Sequence, residues 1–172
     1  MQTHTAQQVA HALRNQPSWR DKGLKDFRDT YYVAESAPPV IAGSNSQEAA
    51  IEVMRMALGL TKGGNISVKT PIEYVLIQDA SLAHTVEKRS DQRERFASFV
   101  IPTLQRPTEI WNVKYDDEST RNRYIKLFSA SRYDILVMVK INPDGGVFWN
   151  FMQRDRKGMN TLRIGDLVYR ER

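Results

Sequence analysis

At Pro107 the spacing of apolar residues changes from a helical period to a strand-like one, and that change limits the fold more than any other feature of the chain. Before it, Ile51, Met54 and Leu58 recur at helical spacing, and Leu82, Val86, Phe96, Phe99 and Val100 mark a second helical stripe. After it come β-rich runs at Ile110–Val113, Tyr124–Phe128, Ile135–Ile141, Val147–Met152 and Leu167–Tyr169. The turn Asn142-Pro143-Asp144-Gly145-Gly146 joins the third and fourth runs as a hairpin. Helices followed by a strand meander predict an α+β domain, an antiparallel sheet with helices on one face.

Finer boundaries follow from capping and turn chemistry. Gln47–Leu58 is expected as a helix, capped from Ser44 with Gln47 three residues on and closed by Gly59. Gly63-Gly64-Asn65 makes a turn, and Ile66, Val68 and Tyr74–Ile77 suggest two short strands flanking Pro71. Within Leu82–Leu104, Ser90-Asp91 can break and re-cap the helical pattern, so one helix or two satisfy it. Thr5–Asn15 has an amphipathic helix pattern that Pro17 stops. Trp19–Val33 alternates aromatic and charged residues and fits either a helix or an extended arm, while Glu35–Ser46, with Pro38-Pro39 and Gly43-Ser44, has the composition of a linker. The expected division is a helix, arm and linker over 1–46 and a domain over 47–172.

Composition narrows the chemistry. The 172 residues are 41% hydrophobic and 26% charged, ordinary globular usage, and a chain of this length buries enough surface to need no covalent staple. The absence of cysteine removes disulfides, thiolate zinc sites, iron-sulfur clusters and cysteine nucleophiles. Mean hydropathy is -0.53, no apolar run has the length of a membrane span, and Met1–Gln16 lacks the apolar core of a leader, so a soluble protein is expected, without membrane partners. Basic and acidic residues balance over Met1–Ala83, so the net charge of +5 lies wholly in His84–Arg172. Any chemistry on anions is expected there.

Several familiar sites lack their parts. Gly63-Gly64 is not followed by the Lys-Ser/Thr of a phosphate loop, and neither a dinucleotide fingerprint nor a serine nucleophile elbow occurs. His4, His11 and His84 are scattered, which disfavours a histidine metal site. Asp116-Asp117-Glu118 has the charge to hold magnesium but fits a solvated turn between strands better. No cofactor or metal is therefore expected.

What remains is His84–Arg95. On a helix His84 and Lys88 stand at i and i+4, on one face, and Arg93 shares the stripe of Leu82, Val86 and Phe96, which aims it at the sheet. An imidazole moves protons near neutrality, and fixed cations stabilise charge developing on phosphorus. The same spacing also fits a charged, solvated helix face with i,i+4 ion pairs, and composition and spacing alone favour that face.

A longer succession carries a family resemblance: Leu82-x-His84-x-x-x-Lys88, Arg93, Ile101-Pro102-Thr103-Leu104-x-x-Pro107-x-Glu109-Ile110-Trp111, Tyr124-Ile125-Lys126, Ile135–Val139 and Leu162-Arg163-x-Gly165-x-Leu167-Val168-Tyr169. Over roughly Gly63–Tyr169 the chain resembles the phage-associated nuclease-like domains of the barnase, EndoU, colicin E5/D and RelE superfamily, found at the C-terminus of phage head-morphogenesis proteins and polymorphic toxins. The resemblance implies a toxin-like, metal-independent endoribonuclease with helices on a four- or five-stranded antiparallel sheet and the active site on the opposite face. It puts the catalytic roles on His84, Lys88, Arg93 and Thr103, with His84 as acid/base, Lys88 and Arg93 as phosphate clamps and Thr103 as an orienting donor.

RNA carries its own nucleophile, the 2′-hydroxyl, so such an enzyme needs an acid, a base and cations only. The expected partner is therefore RNA in the cytoplasm, with an immunity protein where the domain serves as a delivered toxin. Arg89, Arg95, Tyr124, Trp149, Asn150 and Arg163 are the substrate-binding candidates, although core packing is the simpler expectation for Trp149 and Tyr124 and a solvated loop for the basic stretch around Arg163. Asn150 stands where these domains often have a hydroxyl residue. That departure motivates the alternative, a catalytically inactive phage or secretion-associated structural domain with the same fold.

Overall fold

The computed structural model describes residues 10–87 and 92–171. In chain order these form β1 (Glu35–Ser36), α1 (Gln47–Leu58), β2 (Asn65–Lys69), β3 (Tyr74–Gln78), α2 (Leu82–Thr85), α3 (Val100–Gln105), β4 (Glu109–Lys114), β5 (Thr120–Lys126), β6 (Phe128–Ser129), β7 (Asp134–Asn142), β8 (Gly145–Arg154), α4 (Arg156–Asn160) and β9 (Asp166–Arg170). A 3₁₀ turn, Asp79–Ser81, leads into α2, and a 3₁₀ segment, Arg93–Phe99, leads into α3.

The helix expected over Gln47–Leu58 forms with those bounds, for local reasons. Ser46 is extended and its hydroxyl accepts from Ala49 N, Glu48 sits in the first turn and Arg55 in the last, and Gly59 closes the helix at φ +70. The cap is thus Ser46, two residues later than the sequence pattern suggested; Ser44 N donates to Glu94 Oε1 instead. Ala50, Met54 and Leu58, one helical turn apart, are its buried face. The stripe from Leu82 is interrupted: α2 ends at Thr85 with Val86 as its C-cap, so the i,i+4 pairing of His84 with Lys88 is not carried by this helix, and Lys88 lies outside the described residues.

Seven strands make one sheet in the order β2-β3-β8-β7-β5-β4-β9, against the four or five expected. The meander β4-β5-β7-β8 pairs antiparallel throughout, through the hairpin that Asn142 and Gly145 close. The extra strands come from Asn65–Gln78, whose hairpin joins β8 in parallel through Val75↔Gly146 and Leu76↔Val147 only. On one face, Tyr124, Val137, Phe148 and Phe151 pack against α1, α3 and the 3₁₀ segment, with Met54, Phe99 and Leu104 at the centre.

Alternation along the same strands sends Trp111, Val113, Ile125 and Leu136 to the other face. There Phe27 is buried and Trp19 and Leu24 are partly buried, all from the N-terminal arm. The arm has no helix among its described residues: Ala12 bridges Tyr115, Leu13 N donates to Lys114 O, and Glu35–Ser36 pairs with Phe128–Ser129. Thr5–Val9 of the expected N-terminal helix lie outside the described residues; over Ala10–Asn15 the chain is not helical, because backbone groups of His11 and Leu13 bond to Asp116 and to Lys114 at the end of β4. Where this cover stops, above β5, β7 and β8, a cleft remains.

Candidate active site

An irregularity in β8 sets what points into the cleft. Met138 pairs with Asn150 but Val139 pairs with Phe148, so Trp149 is an extra residue in the ladder. Such a bulge shifts the alternation. Phe148 and Phe151, three apart, therefore both enter the helical-side core, while Trp149 and Asn150 line the cleft on the opposite face.

The cleft has a volume of about 670 Å³. From α2 comes His84, half exposed, with its ring 4.8 Å from that of Trp149 and Nδ1 3.6 Å from a carboxylate oxygen of Glu87. Arg93 reaches the stretch of β8 that β3 leaves unpaired: its Nη1 donates to Asn150 Oδ1 at 2.8 Å and to Phe151 O at 3.1 Å. Arg121 and Arg123, alternate residues of β5, share the floor with Lys140 of β7. Arg123 donates to Leu162 O and to the Tyr115 hydroxyl, and Lys140 Nζ lies 4.8 Å from the Trp149 ring centroid. Ala10, His11 and Ala12 of the arm form one rim. The only carboxylate among the described lining residues is Asp117, which Ser119 holds below the usual carboxylate range through its hydroxyl and backbone N–H, with the Arg121 charge acting in the same direction. The wall is thus strongly cationic, with His84 on one side and His11 on the rim.

Of the residues singled out in the sequence, the cleft brings together His84, Arg93, Trp149 and Asn150. Four stand elsewhere. Thr103 is wholly buried in α3 and its hydroxyl donates to Phe99 O, so it has no access to the cleft. Tyr124 is buried on the helical side, bonded to Thr70 and Glu73; burial, and then the Glu73 carboxylate, push its phenol far up. Arg163 is 0% exposed in the second core, paired with Glu109. Arg95 is exposed beside Phe96 and borders a separate groove with Pro38 and Tyr133. Lys88 and Arg89 lie outside the described residues.

Sequence reasoning passed over Arg121, Arg123, Lys140 and His11. The signal for the first two was period-two alternation of basic residues in Thr120–Tyr124, a strand start hidden because the run is polar. Asp116-Asp117-Glu118 forms the turn between β4 and β5, with Asp116 Oδ1 accepting from His11 N, and among the described residues no three His, Cys, Asp or Glu side chains are grouped to hold a metal.

Helices behind a mostly antiparallel sheet, with a cation-lined cleft on the other face where the arm stops, define a small α+β domain suited to phosphodiester chemistry. Residues 56–170 match the family described as phage-Barnase-EndoU-ColicinE5/D-RelE like nuclease2, and the chain belongs to that family. No curated protein and no solved structure matches it significantly.

Proposed function

We propose that the chain is a toxin-like endoribonuclease that needs no metal and cleaves RNA through its own 2′-hydroxyl. The observation that carries this reading is the convergence of His84, Arg93, Arg121, Arg123 and Lys140 on one cleft of a nuclease-family domain. A base withdraws the 2′-hydroxyl proton as that oxygen attacks phosphorus, the bond to the 5′-oxygen breaks, and an acid returns a proton to the departing oxygen. The products are a 2′,3′-cyclic phosphate and a 5′-hydroxyl. His84 takes one of these proton-transfer roles, and Arg93, held by Asn150, stabilises the charge that builds on the phosphoryl oxygens. Lys88 follows His84 in the chain as a second clamp.

The test is incubation of the chain with RNA and with DNA of the same sequence, with and without EDTA. RNA is cut in both conditions and DNA survives, and His84→Ala lowers the rate by roughly a hundred- to ten-thousand-fold with the fold intact. Loss of cleavage in EDTA, or efficient cutting of DNA, overturns the mechanism. A second reading, an inactive structural domain, has Asn150 in its favour, since a carboxamide committed to Arg93 stands where a hydroxyl is common. RNA left intact by the folded chain is the outcome that selects it.

A further inference from the structure

Two buried arginines, Arg163 between α4 and β9 and Arg121 on β5, have opposite surroundings. Arg163 uses all its N–H donors, two on Glu109 and the others on Lys25 O, Asn160 Oδ1 and the Tyr32 hydroxyl. Arg121 is 8% exposed, yet its side chain makes no hydrogen bond or ion pair among the described residues, and its Nε is without a partner. Its guanidinium lies 4.3 Å from the Tyr115 ring centroid and 5.5 Å from that of Trp149.

The neighbours add charge of the same sign. Directly across the β5–β7 ladder from Arg121 stands Lys140, and Arg123, two residues along the same face, is also 8% exposed with an unpartnered Nε. Like charges directly opposite on antiparallel strands repel, and a desolvated cation without a counter-charge is costly. Asp117 feels the Arg121 charge but forms no ion pair with it, and its carboxylate is bound to Ser119. The group is assembled as though an anion belonged in it.

We propose that Arg121, Arg123 and Lys140 form a second phosphate subsite, which holds the phosphodiester adjacent to the one cleaved at His84 and Arg93. The identity of the anion as RNA rests on the endoribonuclease reading; the existence of the subsite does not. Trp149 stands between the two positions, with His84 against its ring on one hand and Lys140 and Arg121 near it on the other. The enzyme therefore grips RNA by two or more phosphates, and a dinucleoside monophosphate, which has one, fills half of the site.

The variant of choice is Arg121→Gln, because the native side chain has no hydrogen bond to lose, with Arg121→Lys as the charge-keeping control and Lys140→Gln as an independent second variant. The probe is a 2′-O-methylated pentaribonucleotide, which binds but cannot be cut. Arg121→Gln is expected to raise the melting temperature in low-salt, phosphate-free buffer, to shrink the rise that the probe produces, and to lower the salt slope of probe binding by about 0.7, the value for one single-strand phosphate contact. Arg121→Lys keeps the slope, and Lys140→Gln moves all three readings as Arg121→Gln does.

In cleavage, the preference for a pentanucleotide over a dinucleoside monophosphate is expected to fall about tenfold in Arg121→Gln. Unchanged probe affinity and salt slope in both glutamine variants overturn the subsite. An equal loss on both substrate lengths overturns its placement beside the scissile phosphate. If the wild-type chain cuts no RNA but the slope still drops in Arg121→Gln, the subsite stands and the endoribonuclease reading fails.

Discussion

Arg163 and Glu109 meet where neither side chain is exposed, and the guanidinium also lies 3.7 Å from the centroid of the Phe27 ring. Removing one partner strands a buried charge, so Arg163→Ala is expected to cost about 3–5 kcal/mol, read as a lower denaturant midpoint. Replacing both, as Glu109→Gln with Arg163→Met, is expected to recover much of that loss. A Glu109→Gln, Arg163→Met protein no more stable than Arg163→Ala would show that Arg163 acts chiefly through Tyr32, Lys25 and Asn160. At the site itself, Asn150→Ala removes one of the acceptors that hold Arg93, and under the endoribonuclease reading kcat/KM for RNA is expected to fall about tenfold with a nearly unchanged melting temperature. Residue identity alone could not separate these arginines: the chemistry that suits Arg93 for a phosphate suits Arg163 for Glu109, and only tertiary packing separates Arg163, between α4 and β9 beneath the arm, from Arg93, at the start of the 3₁₀ segment beside β8.

Elements with local causes were readable. The helix over Gln47–Leu58, its stop at Gly59 and the hairpin at Asn142–Gly145 each follow from capping, spacing and turn residues within a few positions. The bulge in β8 was not, because it depends on which of Phe148, Trp149, Asn150 and Phe151 the opposing core accepts. A turn between elements carries a pH prediction. Arg55 and then Gly63 N hold the Asp79 carboxyl below its ordinary range. Its folded pKa thus lies below the unfolded one, so its contribution is present above about pH 4 and is lost as pH falls through the folded value. Asp134 runs the other way, because burial raises its carboxyl, and its contribution fades as pH rises. Asp79→Asn is expected to flatten the acid side of the stability profile below about pH 4 and to leave the neutral limb parallel to wild type. An acid limb unchanged in that variant would remove Asp79 from the account.

At the scale of the molecule, the arm that composition marked as separate covers the second face of the sheet, where Phe27 is wholly buried and Lys25 and Tyr32 bond to Arg163. The family match begins at residue 56, so this cover comes from outside the matched stretch. A chain shortened to residues 47–172 exposes Trp111, Leu127 and the Glu109–Arg163 pair, and is expected to unfold at a clearly lower temperature or to aggregate; equal melting of the two chains would show that the sheet stands alone. No described helix is long and apolar enough to cross a membrane. The path of the arm also bears on how the protein can be handled. His11 is clipped to Asp116 through both its N–H and its carbonyl at the rim of the cleft, whereas β9 ends at Arg170 on the outermost strand of the sheet. A tag joined directly to Ala10 starts at that rim, whereas one joined after Glu171 starts at the outer edge of the sheet, so under the endoribonuclease reading the first is expected to weaken binding of long RNA and the second to leave it unchanged.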